Sequence, residues 1–301
     1  MAQPLVTIIT NTKNRAHLIP RCIESIQRQS YQNYEHIIAD GCSTDDTEAV
    51  VLSYNDPHIK YIKIEGGPIE QTRAAFSLSK GSYITFLDDD DEYLPEKIEK
   101  QLTLILSLPS DYGFIYGSMS YYDSNSGKFL YDHIAQHNGG RELLPIAVAS
   151  SVICGTPTLM FRRETFESVG GTWLSGIGND MSDWALVART INQGWKVAAL
   201  QESLVRVYVN HSSVRMSEAS FYDDRHERCI KFYGHFLTEY ADIIKAHPQA
   251  AIKHYEGLIF HYVMSRQSSK AWPYYLKLIK VRPNIRSLAM LPYYLYKRVI
   301  K

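Results

Sequence analysis

The chain has 301 residues, 45% hydrophobic, 21% charged and 12% aromatic, with 17 Gly and 12 Pro. Such figures suit a globular protein with a sizeable core and exclude disordered, collagen-like and coiled-coil chains. Its 32 basic and 32 acidic residues cancel, but nine of the basic and none of the acidic ones fall in residues 257–301, leaving 23 basic against 32 acidic before them. An acidic body argues against general nucleic-acid binding, and a basic tail suits an anionic surface.

The first apolar, β-rich run is Leu5–Thr10. No basic n-region or cleavage site goes with it, so it is expected to be a strand and not a signal peptide. Within Asn14–Gln29, Leu18, Ile19, Cys22, Ile23 and Ile26 recur at helical spacing, and Glu35–Ala39 is a second, buried strand. Asp40-Gly41 follows at its end. Gly41 permits a turn and the approach of a ligand to the backbone, so the Asp40 carboxylate is either a turn residue or an acceptor for a nucleobase or ribose. Ser43, Thr44 and Asp45 suit that turn and the cap of a helix through Leu52. A strand at Ile59–Ile64, a helix at Glu70–Leu78 and a strand at Tyr83–Leu87 come next. Arg73, in that helix, either holds a phosphate or base edge or lies on the surface. The alternation predicts a parallel, doubly wound sheet with ligands at the carboxyl ends of its strands, in the loops after residues 10, 39, 64 and 87.

The fourth strand runs into Asp88-Asp89-Asp90-Asp91-Glu92. In an extended chain Asp88 and Asp90 share a side. Carboxylates crowded there repel unless a cation or donors neutralise them, and hard oxygen ligands suit Mg2+ or Mn2+. The other reading is an acidic cap for a helix at Leu94–Leu108, the role expected of Asp91 and Glu92. Further strands are predicted at Gly113–Ser118, Thr158–Phe161 and Lys196–Ala199, with a helix at Asp183–Asn192. Of Asp180 and Asp183 at that helix start, one can be a general base and the other a cap. His211, after the strand-like Arg206–Asn210, is a metal or phosphate ligand or a packed histidine. From Tyr222 the pattern is helical and Tyr-rich, and Pro248, Pro273, Pro283 and Pro292 are expected to cut it into short helices. No apolar run reaches about 18 residues, so no spanning helix is expected. Four widely spaced cysteines, without a CxxC pair, suit reduced thiols in the cytoplasm.

Taken together, these pieces resemble the family 2 glycosyltransferases of GT-A fold over residues 4–215. Val6–Arg15 is similar to the family's opening strand and loop, with Asn11 where proline is usual, and Ile37–Thr47 to the next block, with Gly41 in place of a second aspartate. Phe86–Asp91 resembles the DxD motif, Gly155–Arg163 the acceptor-side segment, and Ser182-Asp183-Trp184 the block whose aspartate is the catalytic base. The resemblance implies a Rossmann-like, mostly parallel central sheet flanked by helices. Residues 1–218 would form the catalytic domain, with a donor half to about 110 and an acceptor half over 111–218, and residues 219–301 a helical extension. It implies inverting transfer from a nucleoside-diphosphate sugar, with uridine the expected base, to a hydroxyl of a glycan or lipid-linked acceptor. Donor contacts would come from Thr10, Asn11, Asn14, Arg15, Asp40, Arg73, Asp88 and Asp89. Asp88, Asp90 and His211 would hold Mn2+ or Mg2+. Asp183 would be the base, with Thr156, Pro157, Asp180 and Trp184 on the acceptor side. The expected location is the cytoplasm, with the basic tail at the inner face of an anionic membrane. The alternatives are a nucleotidyltransferase and a non-catalytic nucleotide-sugar-binding scaffold.

Overall fold

In the computed structural model, which describes residues 3–171, 182–210 and 225–300, the first elements alternate as the hydrophobic pattern demands. They are β1 (Val6–Thr12), α1 (Ile19–Gln27), β2 (Tyr34–Asp40), α2 (Thr47–Ser53), β3 (Ile59–Lys63), α3 (Pro68–Leu78) and β4 (Tyr83–Phe86). The near-continuous burial of β1, β2 and β4 is that of parallel strands covered on both faces. These strands lie in the order β3-β2-β1-β4, all parallel. From β1 the chain steps outward to β2 and β3, then returns to form β4 on the other side of β1. That reversal is the switch point at which open α/β sheets bind ligands, and it sets the loop after Thr12 beside the one after Phe86.

The rest of the sheet unit comprises β5 (Glu92–Tyr93), α4 (Lys97–Ser107), β6 (Tyr112–Asp123), β7 (Phe129–His133), β8 (Leu159–Arg162), α6 (Arg163–Ser168) and β9 (Lys196–Val209). Between β7 and β8 lies α5 (Leu144–Ala149), and α7 (Ser182–Asn192) precedes β9. β8 runs antiparallel between β4 and β6, β9 pairs parallel with β6 and antiparallel with β5, and β7 folds back on β6. The architecture is thus the expected α/β sheet, parallel in its first half and mixed beyond. The helix after the acidic run opens at Lys97, not Leu94, because Glu92 and Tyr93 pair with Arg206 and Val205. Asp91 and Glu92 are therefore not its caps.

Residues 1–141, 153–173 and 185–213 form one compact unit, which contains the sheet. Residues 142–152, 174–184 and 214–301 form a second, with α5, α8 (Arg225–Glu239), α9 (Ala241–Ala246), α10 (Ile252–Met264), α11 (Ser268–Val281) and α12 (Ile285–Ile300). The boundary expected near residue 218 lies outside the described residues. Pro248 opens a 3-10 turn between α9 and α10 and Pro283 falls between α11 and α12, but Pro273 and Pro292 lie inside α11 and α12. Each deletes one helical hydrogen bond. The helices continue because Ala271 and Tyr275 flank the first proline, Leu291 and Tyr294 the second, and all four pack into one cluster with Tyr255, Ile259 and Val263 of α10. None of the four cysteines forms a disulfide. No described helix is long and apolar enough to cross a membrane.

Candidate active site at the sheet switch point

The loop after β1 and the turn after β2 are stitched to each other. Asn14 takes a left-handed φ of 53°. Its N–H donates to Ser43 Oγ at 2.7 Å, and its Oδ1 accepts the Thr44 N–H at 2.7 Å. The Arg15 N–H donates to Thr47 Oγ1 and the Ala16 N–H to Asp45 Oδ2, both at 3.1 Å. Asp40 is wholly buried beneath this turn. Its Oδ1 accepts the Ser43 N–H at 2.8 Å and the Ser43 hydroxyl at 2.6 Å, while its Oδ2 accepts the Tyr61 hydroxyl. Of the two readings of Asp40, the structure displays the turn residue. The left-handed residue there is Cys42, at φ 59°, and not Gly41. Thr10 is also buried, its hydroxyl 3.0 Å from His36 Nε2 and 3.5 Å from Cys22 Sγ. Burial drives the His36 pKa down to about 3, so the imidazole is neutral.

The acidic run folds into a turn, with the Asp91 N–H donating to the Asp88 carbonyl at 3.2 Å. Asp88 is exposed, Asp89 is 1% exposed, Asp90 is half-buried and Asp91 is buried. Arg15, itself buried, reaches Asp89 Oδ1 and Asp90 Oδ2, both at 2.8 Å. The Thr12 hydroxyl adds a 2.6 Å bond to Asp89 Oδ2, and Arg21 donates to the Asp90 carbonyl at 3.0 Å. Burial opposes charge on Arg15, yet the two carboxylates hold its pKa above the usual value. Burial pushes Asp89 up to about 6, abetted by the charge of Asp90 and opposed by Arg15 and Thr12. Asp91 is also raised well above the usual carboxylate value, by burial and then by Asp90 and Asp88, although it accepts the Tyr208 N–H at 3.0 Å. Glu92 accepts from Arg206 at 2.9 Å. Thr12 and Arg21 were not legible as site residues, because only the pairing of distant strands brings them to the acids.

Asp88 and Asp90 offer the hard oxygens that Mg2+ and Mn2+ prefer, and such ions need only one or two protein carboxylates when a diphosphate and water complete the shell. The donor set fits. Among the described residues no three metal-binding side chains gather at one point, so protein and ligand would have to share the ion. His211 and Asp180 lie outside the described residues.

On the α3 side of β1, the Asn11 amide nitrogen donates to the Pro68 carbonyl at 3.2 Å and to Thr72 Oγ1 at 2.8 Å. Gln71 is buried beside them, and Arg73 is exposed on the same helix. Thr156 and the buried Pro157 form a 3-10 turn before β8. In the second unit Asp183 stands in the first turn of α7, half-buried, and accepts the Trp184 N–H at 2.7 Å. Trp184, expected on the acceptor side, is a core residue instead. Its indole N–H donates to the Ala147 carbonyl at 2.5 Å, and its ring stacks on His254 and meets Phe232 and Phe236.

An acidic turn at the carboxyl edge of a doubly wound parallel sheet belongs to the GT-A class of fold. Solved structures agree: S. aureus TarS 1–349 in complex with UDP-GlcNAc superposes at a TM-score of 0.69, with 16% identity over 98% of this chain and 88% of that one. The mannosyltransferase PcManGT from Pyrobaculum calidifontis, with GDP-Man and Mn2+, does so at 0.58, with 16% identity over 100% and 87%. At such identities the likeness is one of fold. The profile of Glycosyl transferase family 2 matches residues 7–170, and the chain belongs to that family. The putative teichuronic acid biosynthesis glycosyltransferase TuaG of Bacillus subtilis strain 168 is 27% identical over 221 residues, 65% of this chain and 85% of its own. The putative colanic acid biosynthesis glycosyl transferase WcaA of Escherichia coli K12 is 42% identical over 99 residues, 32% of this chain and 36% of its own. The UDP-Glc:alpha-D-GlcNAc-diphosphoundecaprenol beta-1,3-glucosyltransferase WfgD of Escherichia coli is 34% identical over 130 residues, 42% and 51%. The chain thus spans about a third of WcaA and half of WfgD.

Proposed function

We propose that the protein transfers a sugar, with inversion, from a uridine diphosphate donor to a hydroxyl of a lipid-linked or growing surface glycan. The observation that carries this reading is the acidic turn at the switch point, with Asp88 facing outward, Asp90 half outward and Arg15 neutralising the acids from within. The names of WfgD and TarS support a uridine donor, and that of WfgD a lipid-linked acceptor.

Transfer breaks the bond between the anomeric carbon and the β-phosphate oxygen, so negative charge grows on the departing diphosphate. A divalent ion on Asp88 and Asp90 would supply compensating positive charge there. Arg15 and Thr12 hold the acidic turn in one conformation through their bonds to Asp89 and Asp90. Exposed Arg73 is the side chain assigned to a donor phosphate. Thr10, Asn14 and Asp40 act indirectly, by fixing the two loops that border the donor. Asp183 takes the proton of the acceptor hydroxyl on a carboxylate oxygen as that hydroxyl attacks. Asp183→Asn, which keeps the shape and removes the base, is expected to lower transfer by about 100-fold or more. UDP release, followed with UDP-sugars and a polyprenyl-diphosphate-linked sugar, should collapse while UDP affinity stays within about twofold. Loss of transfer and UDP binding together would overturn the role of Asp183.

We further assign the basic helices α11 and α12 to an anionic membrane surface, which would bring the protein to a lipid-linked acceptor. Trp272, Leu276, Ile285, Leu288 and Tyr296 are exposed among Lys277, Lys280, Arg286 and Lys297.

A further inference from the structure

Where β1, α3 and the turn after β2 meet, two amide oxygens lack hydrogen-bond partners. The orientation of Asn11 follows from its neighbours. Its nitrogen faces the Pro68 carbonyl, which can only accept, so the opposite end must be the oxygen. That Oδ1 is buried and unpartnered. Gln71, which precedes Thr72 on α3, is 1% exposed, and its Oε1 is equally buried and unpartnered. Its Nε2 lies against Gly41, where a Cβ would overlap it and would also come within 3.2 Å of Lys13 Cδ. The Gln71 amide therefore fills the space that a side chain at position 41 would take. Position 41 is where the family resemblance has a second aspartate, and the neighbouring Asp40 carboxylate is closed by Ser43 and Tyr61.

Buried polar atoms are normally paired, and an orphaned acceptor is unfavourable until a donor reaches it. These two stand at the carboxyl end of β1, beside the switch point where the sheet admits a ligand. They are uncharged acceptors and call for N–H or O–H groups. We infer that Asn11 and Gln71 form a neutral amide pair that reads the nucleobase of the donor, selecting bases with a ring N–H beside a carbonyl. Uracil and guanine carry that edge; the ring nitrogen at the pairing edge of cytosine and adenine bears no hydrogen. Gln71 Oε1 accepts the ring N–H, and Asn11 Oδ1 accepts a second donor, a ribose hydroxyl or an amino group. Selection thus rests on two amides, and Asp40, occupied by Ser43 and Tyr61, takes no part in it. This inference rests on the nucleotide-sugar reading above and deepens it.

Calorimetric titration of the full chain with UDP, GDP, CDP, ADP and ribose 5-diphosphate, with Mn2+ present, tests it. The native protein should bind UDP at least about tenfold more tightly than CDP or ADP. GDP in place of UDP as the tight ligand would support the amide pair and correct the base. Gln71→Met, close in volume and without hydrogen-bonding groups, should weaken the preferred nucleotide about tenfold and bring it level with CDP. Its affinity for ribose 5-diphosphate, which has no base, should not change. Gly41→Ala, which displaces the Gln71 amide without deleting it, should level the bases in the same way and serves if Gln71→Met fails to fold. Unchanged base preference in both variants, or a native preference for CDP or ADP, would overturn the inference while leaving the donor reading intact. No binding of any nucleotide or of ribose 5-diphosphate to the folded native chain would instead remove the donor reading.

Discussion

Arg15 is the residue on which the acidic turn depends. It is buried, and two carboxylates share its guanidinium. Removing the cation would leave the buried Asp89 carboxylate beside Asp90 without a counter-charge. Arg15→Met is therefore expected to destabilise the fold by about 3–5 kcal/mol, measured by urea unfolding. A change below about 1 kcal/mol would show that the ion pair is dispensable. The residue types of this site were legible in the sequence: acids after a strand, arginine after a strand, aspartate before glycine. Their partners were not. Arg15 meets Asp89 only because β4 returns beside β1, and Asp40 meets Tyr61 only because β3 lines up along β2. Trp184 was misread for the same reason, since its aromatic neighbours lie on α8 and α10.

Elements were legible where burial made their pattern unambiguous. β1, β2 and β4 are buried along nearly their whole length and are rich in apolar and β-branched residues. β7 is exposed along its whole length and carries no such signal, while β5 has two residues and exists only through β9. The same logic governs α11 and α12, where shared packing overrides a proline inside each helix. Because their inner faces form one core with α10, deleting them would expose that core, so the outer face is better tested by substitution. The native chain should float with vesicles containing about 30% anionic lipid, less so at high salt. Trp272→Ser with Leu276→Ser, both at exposed positions, should lose most of that binding while remaining folded. No flotation of folded native protein would remove the membrane assignment.

At the scale of the whole molecule, the strand order explains why the chemistry gathers where it does. One reversal of direction after β3 joins the loops of β1, β2 and β4, bringing Asn11, Arg15, Gln71 and the acidic turn to one edge of the sheet. The resulting account makes a donor-binding claim before it makes any catalytic one. Thermal unfolding of the native chain with UDP, with Mn2+, with both and with neither, beside Asp90→Ala, tests that claim most directly. A ligand held only by the native state at about 100 times its Kd adds roughly 2.7 kcal/mol of stability. The account predicts that UDP and Mn2+ together raise the Tm by about 2–5 °C beyond the sum of their separate effects. It also predicts that Asp90→Ala loses this increment. Failure of UDP and GDP alike to shift the Tm of the folded native protein, with or without Mn2+, would contradict it.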